Sequence, residues 1–115
     1  MALLNKEAIL GADDLKKEIV SVPEWGGEVM ISAMTGAARD EWEQALVESK
    51  SANLSNLRAR LVAATAMDEA GNRLFTGADV EALGKKSGAA LERCVRAAQK
   101  LNRLTQSDLD ELAKN

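Results

Sequence analysis

The apolar positions of this chain change their period near residue 35. Before it, Ile19, Val20 and Val22 lead into Pro23, Glu24, Trp25, Gly26 and Gly27, and Val29, Met30 and Ile31 follow. Apolar runs rich in β-branched residues on either side of a Pro/Gly cluster predict a β-hairpin, because Pro23 cannot continue a ladder and Gly26 and Gly27 reverse the chain at little steric cost. Side chains alternate across a strand, so Val20 and Val22 share a face with Val29, Ile31 and Ala33. That face is expected to meet the rest of the fold. The opposite face carries Ile19, Met30 and Met34 among Lys17, Ser21 and Ser32. This is more apolar than a freely solvated strand face requires, and an isolated two-stranded hairpin is marginal in water. Two readings stay open: an interface with other molecules, or coverage by the chain's own first segment around Leu3 to Leu10.

From Thr35 onward the spacing is helical. Thr35 is placed to cap a helix over 36–49 carrying Ala38, Trp42, Ala45 and Leu46 on one side. A second helix, 53–68, puts Leu54, Leu57, Leu61 and Ala64 on one stripe. Asp68 to Arg73, with Gly71 and Asn72, reads as a turn. Thr76 and Asp79 have capping-box spacing and start a short helix through Leu83. After a break framed by Gly84 and Gly88, residues 89–104 form the most regular helix. Leu91, Cys94, Val95, Ala98 and Leu101 lie on its apolar side, and Arg93, Arg96, Lys100 and Arg103 lie opposite. Thr105 with Asp108 begins a final short helix. The fold expected is mainly α: an N-terminal hairpin within 1–34, then about five helices packed as a small bundle over 35–115, in a single domain.

Composition supports that class. Aromatic residues are only 3% of the 115 positions while 46% are hydrophobic, so the core must be filled by aliphatic side chains and alanine, which suits close helix packing. The net charge of −3 argues against a dedicated nucleic-acid binder. It hides an asymmetry: residues 1–83 hold 8 basic and 14 acidic side chains, residues 84–104 hold 6 and 1, and residues 105–115 hold 1 and 3. The single cysteine fits a reducing compartment, and neither a signal peptide nor a membrane-length apolar stretch is visible. A soluble, untargeted protein is expected.

The side chains that usually carry chemistry are sparse. There is no histidine, which removes the commonest neutral-pH base and metal ligand together. No serine has a histidine partner, no nucleotide-binding glycine fingerprint follows a strand, and Cys94 falls on an apolar stripe as a core thiol would. Adjacent carboxylates such as Asp13 with Asp14 and Asp40 with Glu41 sit near element starts, where they favour the helix dipole. No catalytic residue, cofactor or metal is expected, and the function read from the residues is protein binding. The 80–104 region resembles a helix–turn–helix, but its second helix begins with Ala89, Ala90 and Leu91 where base-reading residues belong. The basic face is read as a solvated surface or a docking face for an acidic partner. Trp42 is expected in the core; Trp25, in the turn, serves either an interface or internal packing.

The succession VPEWGGEV at 22–29, MTGAARDEWE at 34–43 and MDEAGNRLFTGADVEAL at 67–83, closing on LNRLTQSDLDELAKN, resembles the tail assembly chaperones of long-tailed bacteriophages of the lambdoid kind. That resemblance implies a protein of the infected bacterium's cytoplasm that coats the tape measure protein and keeps it soluble until tail tube subunits polymerise around it, and that is absent from the virion. It also implies a longer form, made by a translational frameshift, that recruits tube subunits; this chain would be the short form. Self-association is expected through the second hairpin face, with Ile19 and Met30 as contacts; Met34 on the same face and Trp25 in the turn are further candidate interaction residues. The basic residues Arg93, Arg96, Lys100 and Arg103 are expected to meet acidic partners. The rival readings are a structural or head–tail connecting protein of the virion and a small DNA-binding regulator.

Overall fold

The computed structural model describes residues 3–48 and 56–105. The elements are α1 (Lys6–Gly11), β1 (Lys17–Val22), β2 (Gly27–Ser32), α2 (Gly36–Glu48), α3 (Leu57–Thr65), β3 (Ala66–Met67), α4 (Val80–Gly84) and α5 (Gly88–Asn102), with 3-10 turns at Pro23–Trp25 and Gly77–Asp79. The chain is mainly helical and holds one small antiparallel sheet in the order β1-β2-β3.

The hairpin forms in the expected register. Val20 lies opposite Val29 and Ile19 opposite Met30, and Gly26 closes the turn at φ +75°, where a side chain would be strained. The inner face is the one anticipated: Val22 and Ile31 are fully buried, and Val20 and Val29 pack beside them. β3 was not anticipated. Ala66 and Met67 pair with Ile31 and Met30, so the helix expected to reach 68 ends at Thr65. Thr65 turns its hydroxyl back onto the Leu61 carbonyl (2.7 Å), which satisfies this buried donor as the chain leaves the helix.

α3 also differs from expectation in its burial. Leu57, Ala59, Leu61, Val62, Ala63, Ala64 and Thr65 are all buried, so the helix has no single apolar stripe and runs through the middle of the fold. Alanines allow this by letting β2, α2, α4 and α5 approach it from several sides. Complete burial of a side chain such as Leu61 or Val62 contributes about 1.5–3 kcal/mol. Leu54, expected on the same stripe, lies outside the described residues.

The caps predicted at Thr35 and at Thr76 with Asp79 are present. Thr35 Oγ1 accepts the Ala38 N–H at 3.0 Å, and Asp79 Oδ2 accepts the Thr76 N–H at 2.8 Å. α5 begins one residue earlier than expected because Ser87 Oγ accepts the Ala90 N–H (3.2 Å). It ends two residues earlier because Arg103 turns left-handed at φ 53°, letting the Leu104 N–H reach back to the Gln99 carbonyl at 2.8 Å. Trp42 is in the core, and its indole N–H has no partner among the described residues. Four helices follow the hairpin among the described residues and one, α1, precedes it; the final helix expected from Thr105 lies outside them.

Candidate protein-interaction surfaces

The outer face of the sheet is apolar and open. Ile19, 54% exposed, stands opposite Met30, and Met67 of β3 extends the row on the other side of Met30. Leu74, 48% exposed, is brought beside them by its N–H bond to the Ala66 carbonyl (3.0 Å). Together these four side chains floor a groove of about 350 Å³, rimmed by Glu28, Asp68 and Glu69. The turn that places Leu74 is held by Asp68, whose carboxylate accepts the Ala70 and Asn72 N–H groups at 2.9 Å each. The Asn72 N–H is the main cause that holds the Asp68 carboxyl below its ordinary range.

Ile19 and Met30 therefore sit where the strand pattern put them, but Met34 does not. It is 8% exposed and belongs to the core, because the chain leaves strand geometry after Ser32 and turns inward. Its N–H is fixed by Asn102 Oδ1 at 2.7 Å. Coverage by the first segment is not observed either: residues 3–10 are all exposed. Met67 and Leu74 were missed by sequence reasoning, since neither belongs to an element with a readable period; the Asp68-x-x-Gly71 turn between them was the available signal.

The basic face of α5 has internal partners. Arg93 Nε lies 2.9 Å from Glu24 Oε1, and Lys100 Nζ lies 2.6 Å from Glu18 Oε1, so both cations reach across to the hairpin. Glu24's own backbone N–H, and then the Arg93 guanidinium, hold the Glu24 carboxyl below its ordinary range. Arg96 and Arg58 share Glu92, at 3.9 and 2.9 Å. Among the described residues Arg103 has no ion pair and stands exposed. For Arg93 and Lys100, the acidic partner expected from outside is the chain's own hairpin. Trp25, next to Glu24 in the turn, is half-buried against the core, which is the internal-packing alternative of the two.

At the N-terminal end of α5, Gly88 and Ala89 are exposed but carry no hydrogen-bonding side chain, and Ala90 and Leu91 are 0% and 4% exposed, against a recognition-helix role. Cys94 is completely buried, and desolvation pushes its thiol up to about 11. Asn102, which sequence reasoning did not single out, is the buried polar node of the fold. Its Nδ2 donates to the Ala98 carbonyl (2.9 Å), and its own carbonyl accepts from Arg39 Nη1 (2.9 Å).

Three comparisons bear on this geometry. The sequence model of the phage tail assembly chaperone family matches residues 5–115. The fold is similar to the structure of the bacteriophage HK97 tail assembly chaperone, with a TM-score of 0.57 and 21% identity over 83% of this chain and 90% of that one. No curated protein matches the chain.

Proposed function

The chain belongs to the phage tail assembly chaperone family, and on that premise we propose that it binds the tape measure protein and keeps it soluble while the tail is built. The observation that carries this reading is the open groove of Ile19, Met30, Met67 and Leu74 on the outer face of the sheet. A long helical partner exposes apolar stripes before the tube closes round it, and shallow apolar contacts repeated along it gain strength through multivalency. Self-association of the chain supplies the repetition. In this reading the chain acts without catalysis, in the cytoplasm of the infected bacterium, and is absent from the finished particle. A longer, frameshifted form recruits the tail tube subunits.

A phage lacking this gene tests the proposal. It is expected to make heads without tails, to leave its tape measure protein in the insoluble fraction, and to be rescued by the chain supplied in trans. Mass spectrometry of wild-type particles is expected to find none of the chain. Normal tails from the deletion, or the chain as a stoichiometric component of the virion, would overturn the proposal; the second result would favour a structural or connecting protein.

A further inference from the structure

A pocket on the helical side of the molecule gathers polar groups that the chain itself leaves unsatisfied. Its walls are α2 and α3, with the loop that follows β3 along one edge. Ala38 and Ala45, about a turn to either side of Trp42, face Ala63 and Ala64 of α3, and side chains this short leave a half-open pocket of about 110 Å³. The Trp42 ring, 5% exposed, forms part of the wall, and its N–H is buried without an acceptor among the described residues. Buried polar groups in folded proteins are almost always paired, so an orphan donor beside a pocket marks a place for an acceptor from outside the chain.

Two guanidinium groups share the pocket with it. Arg60 lies one turn before Ala63 and Ala64 and has no ion pair among the described residues. Arg73 is held in place: its Nε donates to the Ala63 carbonyl at 3.1 Å, and its backbone bridges to Met67. That bond uses the Nε–H and leaves the Nη groups of the fork for another acceptor. Glu41 also lines the pocket, but it forms no ion pair with either arginine. Donors and positive charge are therefore in excess over acceptors, in a chain whose net charge is −3.

We propose that this pocket holds a side-chain carboxylate, Asp or Glu, of the protein that lies along the outer sheet face. A carboxylate only accepts hydrogen bonds and is planar, so it matches the forks of Arg60 and Arg73, whereas a neutral amide would set its own donors against theirs. The pocket has room for a group of side-chain size, and so few contacts hold a free acid weakly; a side chain arrives with the rest of its interface. The two surfaces are also continuous. Arg73 and Leu74 are neighbours in one loop, and the first lines the pocket while the second lines the groove. The identity of the partner rests on the proposed function, and the chemistry of the pocket does not.

The indole N–H of Trp42 reports directly on the pocket by nuclear magnetic resonance, with that of Trp25 as an internal control. Sodium acetate is titrated into the parent against sodium chloride at matched ionic strength. The Trp42 resonance is expected to move saturably with acetate and not with chloride, while Trp25 stays in place. Arg60→Gln, at a position without an ion pair, is expected to unfold in urea like the parent and to bind acetate about tenfold more weakly. Glu41→Gln is expected to bind acetate more tightly than the parent, an effect that damage to the fold does not produce. In co-expression, Arg60→Gln/Arg73→Gln is expected to recover less tape measure protein than the parent; Arg60→Gln alone carries the comparison if loss of the Ala63 tether lowers stability. A Trp42 resonance that ignores acetate, or that responds equally in Arg60→Gln, would overturn the carboxylate pocket whatever the tape measure protein does. Acetate binding by the parent together with full recovery of the tape measure protein by the arginine variants would overturn the partner's carboxylate as the occupant and point to a free acid. A parent that fails to solubilise the tape measure protein would overturn the proposed function and this partner with it, while the acetate titration would still decide the pocket.

Discussion

Asn102 Oδ1 accepts the N–H of Met34 at 2.7 Å, joining the last residue of α5 to the loop that leaves β2 across 68 positions of sequence. Both residues are buried, so water has little access to the Met34 N–H if the side-chain oxygen is lost. The same residue ties Ala98 through its amide and Arg39 through its carbonyl, which fixes where the hairpin sits relative to the helices.

Replacing Asn102 with Ala should therefore cost about 1–3 kcal/mol, the range for leaving a buried polar group unsatisfied. Urea unfolding is expected to show a lower midpoint at an unchanged slope. A midpoint equal to that of the parent would mean that another acceptor takes over the Met34 N–H.

Acid should loosen the hairpin. Glu24 has a folded-state pKa below its unfolded value. Its contribution is therefore complete above the ordinary carboxylate range and is lost as pH falls through the folded pKa, because the unfolded chain takes up the proton first. Asp68 adds in the same direction. A Glu24→Gln variant is expected to lose stability less steeply on acidification than the parent, and added salt should narrow the gap between Arg93→Ala and the parent at neutral pH. Parallel pH profiles for the parent and Glu24→Gln would contradict the pairing.

Cys94 should be inert in the native state. With the thiol pushed up to about 11 in a site without solvent contact, the thiolate is scarce at neutral pH. The stability that goes with this shift is present below the ordinary thiol pKa and is lost as pH rises through the folded value. Labelling by a soluble disulfide reagent is expected to be slow in the folded protein and to accelerate in step with unfolding in denaturant. Rapid labelling under native conditions would contradict this account of α5.

The parts of this fold that could be read from the sequence are those whose cause is local. Alternation around the Pro23–Gly27 turn gave the hairpin and its faces, and hydroxyl or carboxylate caps at Thr35, Thr76 and Asp79 marked helix starts. β3 was hidden because a two-residue strand is defined by its pairing to Met30 and Ile31, not by a pattern of its own. Arg103 ends α5 in a left-handed conformation usually given to glycine, so no residue type announced the stop. Of the candidate surface residues, Ile19 and Met30 followed from strand parity. Met34 was lost because parity holds only while the strand continues. The pairing of Arg93 with Glu24 spans 69 positions, and only the acidic excess before residue 84 against the basic excess after it hinted that the two halves attract.

The most direct test of the central claim is co-expression with the tape measure protein of the same phage, comparing the parent chain with an Ile19→Asp/Met30→Asp variant. The parent is expected to move the tape measure protein into the soluble fraction and to co-purify with it. The variant is expected to fold, because the altered face lies outside the core, and to leave the tape measure protein insoluble. Equal solubility with the parent, with the folded variant and with no added chain would contradict the proposed function.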